Sequence, residues 1–506
     1  MQYDIIIIGA GLGGLTAGAK LSGEGKKVLL IEQHNIPGGC ATTFKRNDFN
    51  IEVGLHMIDG LDNDDPKRKI LEELKVFDNV EFVRVPEFYR VVKPGCDITI
   101  PDDYKQAIET LIERFPAEQK GILKFFKIIL ALRKEVFKVP RQRWLMLLSM
   151  PIFPILVPNL MVHEKNSIGT LLDTLFQNEK LKLVLLANLG YYHNDPYTMS
   201  LLYYSVAQGS YFSGGGHFIK GGSQKLSDYL ASVIEDNDGK VLLGHIVNEI
   251  IIENGVATGV KYSKISKTRT EEQRASGKCI IANAAIPNVI DKLIKEPKAK
   301  IKLSGKIGHP EIAPSIFSVY LGFKTPPKEL GNRYYSSVFY DGGISRQREI
   351  AEYHHADFSK RTCIFVDYSV IDSGLAPEGK SVGVISAMDY LSDWDSLSPD
   401  HYKERKEEAA KTLIARLDKF IPGTKDALEY YEVGTPTTIK RYTLNPNGTA
   451  YGYAQLPFQA GRKRVKIKSP IPNLYFASAW TEPGHGFTGA ILSGYWCAKE
   501  ILRCKK

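Results

Sequence analysis

Gly9, Gly11 and Gly14 stand as G-x-G-x-x-G directly after the run Tyr3 to Ile8, apolar but for Asp4. Glu32 follows at the carboxyl end of a second strand, Lys27 to Ile31. A continuous apolar run is the pattern of a strand buried on both faces of a parallel sheet. The first glycine permits a tight turn, the second lets backbone approach a pyrophosphate, and the third lets a helix pack on the strand. The helix that opens at Leu12 then offers free N–H groups and a positive end to phosphate oxygens. Glu32, roughly 20 residues beyond the glycines, is placed to accept hydrogen bonds from a ribose and disfavours a 2′-phosphate, which leaves NAD or FAD. An ordinary βαβ turn is the bland alternative, and strand, glycines, helix, strand and acid in register argue against it.

The residues after the second strand favour FAD. Pro37-Gly38-Gly39-Cys40-Ala41-Thr42-Thr43-Phe44 adds a glycine pair with backbone access to the far side of a pyrophosphate, where a plain surface turn is the alternative. At the other end, residues 473–494 read NLYFASAWTEPGHGFTGAILSG. This is a strand, a loop from Thr481 through Glu482, His485 and Gly486, and a helix of small residues opening with Phe487 and Thr488. A helix N-terminus aimed at a flavin stabilises negative charge on the reduced ring.

Both ends, together with Lys220-Gly221-Gly222-Ser223-Gln224-Lys225-Leu226 and Leu375-Ala376-Pro377-Glu378-Gly379, resemble the FAD-dependent carotenoid desaturase and isomerase family, the phytoene dehydrogenase-like flavoproteins. That group is also similar to amine oxidases at its two ends. Gly39 to Phe44 and Phe49 to His56 are most similar to the retinol saturase and carotenoid isomerase branch. The resemblance covers most of the chain, tightly at the ends and loosely between about 100 and 210. It implies that Leu55 and His56 lie close to the isoalloxazine ring, that Val247 meets the adenine, and that Ala282 lies on the pyrophosphate side. Thr42 and Thr43 join the cofactor set. For His56 the alternative is a partly buried histidine satisfied by backbone. Glu482 and His485 fill the variable positions of the flavin loop, so with His56 they are the candidates for tuning or proton handling. The competing reading of His485 is a spacer between two glycines whose amides do the binding.

The elements that must position these residues follow. An α/β fold is expected, a Rossmann-like FAD-binding domain of the amine-oxidase type interleaved with a mixed sheet and a helical substrate domain. The cofactor domain is expected from 1–75, 215–290 and 435–506, and the substrate domain from 76–214 and 291–434. Val80 to Val92 reads as one strand, Asp103 to Val139 as helices, and Ile316 to Phe323, Thr362 to Ser369 and Ser381 to Tyr390 as strands. His401 to Phe420 is an amphipathic helix with a solvated Lys/Glu face. Residues 144–161, WLMLLSMPIFPILVPNLM, are the most apolar stretch. Pro151, Pro154 and Pro158 would break a helix there, and broken backbone exposed to lipid is costly, so a bilayer crossing is not expected. Lying after Arg133, Lys134, Lys138, Arg141 and Arg143, the stretch reads as a shallow membrane insertion at the mouth of a lipid-substrate tunnel. A buried core loop is the alternative.

Composition bounds the rest. The 506 residues are 43% hydrophobic and 24% charged, an ordinary globular balance. A net charge of +9 over this length is too diffuse to argue for nucleic acid, and fits a peripheral position on an anionic cytoplasmic membrane face or merely a basic soluble enzyme. Six scattered cysteines fit a reducing compartment, and the chain starts within its first strand, which predicts no signal peptide. No metal-ligand cluster and no serine elbow are found, so no metal is expected. One dinucleotide motif leaves no second fold for NADPH, and the electron partner is unassigned. The expected activity is oxidoreduction or isomerisation at C=C bonds of an apolar polyene or isoprenoid. A flavin amine oxidase and a non-enzymatic isoprenoid escort protein are the alternatives. Intact cofactor glycines argue against the escort and the apolar 144–161 stretch against the amine oxidase.

Overall fold

The computed structural model describes residues 2–266, 271–355 and 357–504. Its first strand, Gln2–Ile8, is flanked in parallel by Val28–Ile31 and by Gln273–Ala282, and Lys240–Leu242 extends the parallel run beyond Val28–Ile31. Ile5, Ile6 and Ile7 are fully buried, as a strand covered on both faces requires. Val256–Lys264 and His245–Glu253 complete the other edge as an antiparallel ribbon, with an irregularity between Val247 and Glu249. Leu474–Phe476 returns from the far end of the chain to pair in parallel with Gln273–Ala282. The two ends of the polypeptide therefore meet in one sheet. The Leu12–Gly23 helix packs against both Gln224–Asp236 and Gly486–Arg503. The last contact is close: a Cβ on Gly494 would collide with the Gly13 carbonyl.

A second seven-stranded sheet runs Leu428–Gly434, Ser315–Phe323, Ser381–Asp389, Cys363–Asp367, Ser336–Phe339, Tyr89–Lys93, Cys96–Ile100. It is antiparallel except where Ser336–Phe339 meets Tyr89–Lys93. Pro399–Phe420 packs its Ala410, Leu413 and Leu417 side into the aromatic core of this sheet. Two short sheets, Thr43–Arg46 with Phe49–Glu52 and Ile58–Asp59 with Gly216–Ile219 and Phe82–Arg84, lie beside these.

The Val80 to Val92 run is two strands rather than one. Phe82–Arg84 belongs to the three-stranded sheet and Tyr89–Lys93 to the second large sheet. Pro86 between them has no N–H for a ladder, and the buried Glu87 beside it accepts the Tyr335 and Ser336 N–H groups. In the helical region Asp103 caps Tyr104–Arg114 by accepting from the Lys105 and Gln106 N–H groups. The apolar stretch is a string of short helices, Arg143–Ser149, Phe153–Leu156 and Pro158–His163 with a 3-10 turn between the first two. Pro151, Pro154 and Pro158 each sit in the opening positions of one of these pieces, where the missing N–H costs nothing. Among the described residues no helix is long and apolar enough to cross a membrane.

Candidate functional site

The glycine turn is built for close backbone approach. Gly9 has φ of +95°, and a Cβ there would lie 2.6 Å from the Asn283 carbonyl oxygen; one on Gly14 would run into the Gly9 carbonyl. Asn283, following Ala282 at the end of its strand, donates from Nδ2 to the Gly9 carbonyl at 3.0 Å and from its backbone to Ile8 at 2.9 Å. Gly11 forms an isolated parallel bridge with Gly38, and the Gly38 N–H donates to the Ala10 carbonyl at 2.8 Å. The two glycine turns, 9–14 and 38–39, thus lie against each other. The helix opening at Leu12 has no side-chain cap, so its first N–H groups are available to an anion.

Glu32 is buried at the end of Val28–Ile31 and accepts the Ala10 N–H at 2.6 Å and the His34 N–H at 2.8 Å. Burial pushes its carboxyl above the usual range, with those two bonds opposing. Its carbonyl accepts from His245 at 2.9 Å, which brings the strand carrying Val247 alongside. Thr42 bonds through its hydroxyl to Gln224, which donates in turn to the Pro37 carbonyl at 3.0 Å. Thr43 opens the adjacent hairpin.

Glu52 fastens the next part. Fully inside the protein, its carboxylate accepts the Gly54 and Leu55 N–H groups at 3.1 and 2.9 Å, and the Ser223 N–H and hydroxyl both at 2.7 Å. Burial raises its carboxyl and these bonds counter it. Four tyrosines then hold the carbonyls of this strip. Tyr320 donates to Val53 at 3.1 Å, Tyr368 to Leu55 at 2.8 Å, Tyr335 to His56, and Tyr211 to Met57 at 3.0 Å. The His56 side chain is paired through Nδ1 to the Tyr191 hydroxyl at 2.7 Å rather than to backbone. Burial lowers its pKa to about 4, so the ring is neutral at pH 7.

The C-terminal loop closes the arrangement. Thr481 is buried and bonded to Ser493 at 2.7 Å. His485 pairs through Nδ1 with the Tyr203 hydroxyl at 3.0 Å, and burial holds it well below the usual histidine range. It also precedes, without a side-chain cap, the Gly486–Arg503 helix. Gly486 has φ of +79° and open space where a Cβ would be. Phe487 is half-buried, and the Thr488 hydroxyl donates to the Asp59 carboxylate. Glu482 is ion-paired to Lys466 at 3.0 Å and Arg141 at 3.3 Å. Arg464, buried beneath the loop, donates among the described residues only to carbonyls, including Thr481 at 2.8 Å and Ala479 at 2.7 Å. Burial lowers its pKa to about 10, so it remains cationic.

A cavity of about 1010 Å³ connects these groups. Its wall includes His56, Glu482, His485, Gly486, Phe487 and Thr488, together with Asp59, Tyr191 and Tyr203, which the sequence reading did not single out. Gly9, Gly11, Gly14, Glu32, Gly38, Gly39, Thr42, Thr43, Val247, Ala282 and Thr481 are not in that wall; all but Thr481 belong to the glycine-turn end or the segments tied to it. The cavity continues past Phe137, Met146, Met161 and Trp496, and Phe137 and Met161 are also exposed at the surface. Uncapped helix starts at both ends of the chain, abutting glycine turns and a buried ribose-type acid fit a dinucleotide-sized group with its ring toward the cavity. Among the described residues no cluster fit for a metal occurs.

Comparison with known proteins agrees. The chain is 27% identical to the all-trans-retinol 13,14-reductase of Danio rerio, across 99% of this chain and 86% of that one. It is 26% identical to the chloroplastic prolycopene isomerase of Daucus carota, across 99% and 80%. In structure it is similar to an oxidoreductase from Methanosarcina mazei, with a TM-score of 0.64, 19% identity and coverage of 99% and 100%. The profile of the flavin containing amine oxidoreductases matches residues 12–502. Spanning nearly the whole polypeptide, that match places the chain in the flavin containing amine oxidoreductase family, as a flavin-dependent oxidoreductase.

Proposed function

We propose that the enzyme binds FAD and acts on C=C bonds of a long apolar polyene or isoprenoid, as a saturase, desaturase or isomerase. The observation that carries this reading is the cavity of about 1010 Å³, which runs from His56 and Gly486 past Phe137, Met146 and Met161 toward an exposed apolar ridge. It is long and greasy enough for an extended hydrocarbon. The names of the relatives, a retinol reductase and a prolycopene isomerase, support the same substrate class. FAD is favoured over smaller flavins because the ribose-type Glu32 and the abutting glycine turns provide for a second nucleotide half.

When bound, the flavin supplies hydride transfer to or from a substrate carbon. The chain supplies the rest. Glu52 and the four tyrosines fix the Val53–Met57 strip, and the Gly486 helix N-terminus and the cationic Arg464 make the surroundings positive, which would favour negative charge on a bound ring. Neutral His56 presents a ring whose Nδ1 is occupied by Tyr191, leaving Nε2 for proton exchange. Asp59, with its carboxyl raised by burial, is the second proton holder in the wall. His485 is locked to Tyr203 and orients the loop. Glu482, ion-paired with Lys466 and Arg141, shapes the cavity wall.

The ridge around the cavity mouth supports peripheral docking on a cytoplasmic membrane face, with the substrate drawn from the lipid. Trp144, Leu148, Ile155 and Val162 are 62%, 71%, 86% and 69% exposed, and Arg141, Arg462 and Lys463 line the same opening.

The test is a substrate panel. Flavin-loaded protein is given retinol, carotenes, a monoenoic fatty acid and a long-chain amine, with the flavin oxidised and reduced in turn. Conversion of a polyene is the expected result. Oxidation of the amine with every polyene unchanged would overturn the proposal.

A further inference from the structure

A second, smaller cavity adjoins the large one. The two share Gly54, His56, Tyr191 and Tyr451, so the His56–Tyr191 pair stands between them. At about 80 Å³ it can take the end of a ligand but not its body. Its wall is mostly apolar, with a few polar side chains. Ser318 and Ser386 face each other across neighbouring strands with their hydroxyl oxygens 3.1 Å apart. His354, 3% exposed, also lines it, and neither of its ring nitrogens has a hydrogen-bond partner among the described residues.

Burying a polar group without a partner costs about 1–3 kcal/mol, so an unpaired imidazole in the wall of a cavity calls for a ligand group. The chemistry of that group is constrained. No charged side chain lines the chamber among the described residues, so a carboxylate or an ammonium would be buried without a counter-charge, at a cost of several kcal/mol. A neutral imidazole offers one donor and one acceptor. A hydroxyl can donate or accept and so can pair with either nitrogen, whereas a hydrocarbon end can pair with neither.

We propose that this chamber is a subsite for a hydroxyl at the end of the substrate chain, with His354 as its hydrogen-bond partner and the Ser318–Ser386 pair completing the polar wall. The inference rests on the polyene reading and deepens it: the large cavity holds the chain, and the small chamber selects alcohols over hydrocarbons of the same length.

The flavin-loaded enzyme is titrated with three ligands of one carbon skeleton, retinol, its deoxy hydrocarbon and retinoic acid, followed by the shift in flavin absorbance. One hydrogen bond of ordinary net strength corresponds to about tenfold in affinity, so the alcohol should bind about tenfold more tightly than the hydrocarbon, and more tightly than the acid. His354→Phe should abolish that preference while leaving hydrocarbon affinity unchanged, and His354→Asn should restore part of it. Ser386→Ala, a smaller change, should reduce the preference and covers the case in which the His354 variants do not fold. Equal binding of alcohol and hydrocarbon by the parent enzyme, tighter binding of the acid, or equal weakening of both ligands by the variants would overturn the subsite while leaving the polyene reading intact. Failure of all three ligands to perturb the flavin would overturn the subsite, while the polyene reading is decided by the substrate panel.

Discussion

Glu52 is the residue on which the floor of the site depends most. One carboxylate accepts from three backbone N–H groups and a hydroxyl, and it does so across 171 residues of chain to Ser223. Removing it orphans buried donors at about 1–3 kcal/mol each. Glu52→Ala is therefore expected to lower the melting temperature and to yield protein with a reduced flavin-to-protein ratio, whereas Glu52→Gln, which keeps one accepting oxygen, retains more of both. An alanine variant with full flavin content and parent stability would refute this role. The contrast with Glu32 explains what could be read in advance. Glu32 sits at a fixed spacing from its glycines within one local unit, so its placement was legible. Glu52, Asp59 and Asn283 draw their significance from partners far along the chain, and no local pattern announces such partners. His56 was named as a candidate through family resemblance, but its partner, the Tyr191 phenol, was not legible.

Among the elements, those specified by local sequence were the ones foreseen. The Gln2–Ile8 strand, the Leu12–Gly23 helix and the Gly486–Arg503 helix each follow from an apolar run and its glycines. The proline-broken stretch also behaves as its prolines dictate, one at the start of each short piece after Arg143–Ser149. Ser336–Phe339 and Leu428–Gly434 escaped notice for opposite reasons. The first is four residues long and begins with two serines that are nonetheless fully enclosed; the second, LEYYEVG, carries two glutamates. Each is a strand because of its neighbours in the sheet, not because of its own pattern. The Leu12–Gly23 and Gly486–Arg503 helices approach so closely that Gly494 has no room for a methyl group beside the Gly13 carbonyl. Gly494→Ala should force them apart and cost about 1–3 kcal/mol, the usual range for overpacking. Thermal unfolding with and without added flavin measures it, and an unchanged midpoint would show that the helix pair yields without strain.

For the molecule as a whole, the informative surface is the ridge at the cavity mouth. Contiguous exposed apolar groups on this scale mark an interaction site rather than ordinary surface, and basic residues at the opening add attraction to anionic lipid. The double variant Leu148→Glu, Ile155→Glu alters only exposed positions outside the cavity wall. Co-sedimentation with vesicles containing phosphatidylserine should fall several-fold, while turnover of detergent-solubilised substrate holds. Equal sedimentation of parent and variant, or failure of the parent to sediment, would overturn the proposed docking.

The four phenols that grip the Val53–Met57 carbonyls come from positions 211, 320, 335 and 368. A ribosome-bound chain cannot complete that grip until residue 368 has emerged, and the returning strand and last helix arrive later still. Capture of the coloured group is therefore expected only once these late segments have emerged. A polypeptide truncated before the Gly486–Arg503 helix is expected to stay pale, so yellow colour would report that this helix has been made and docked.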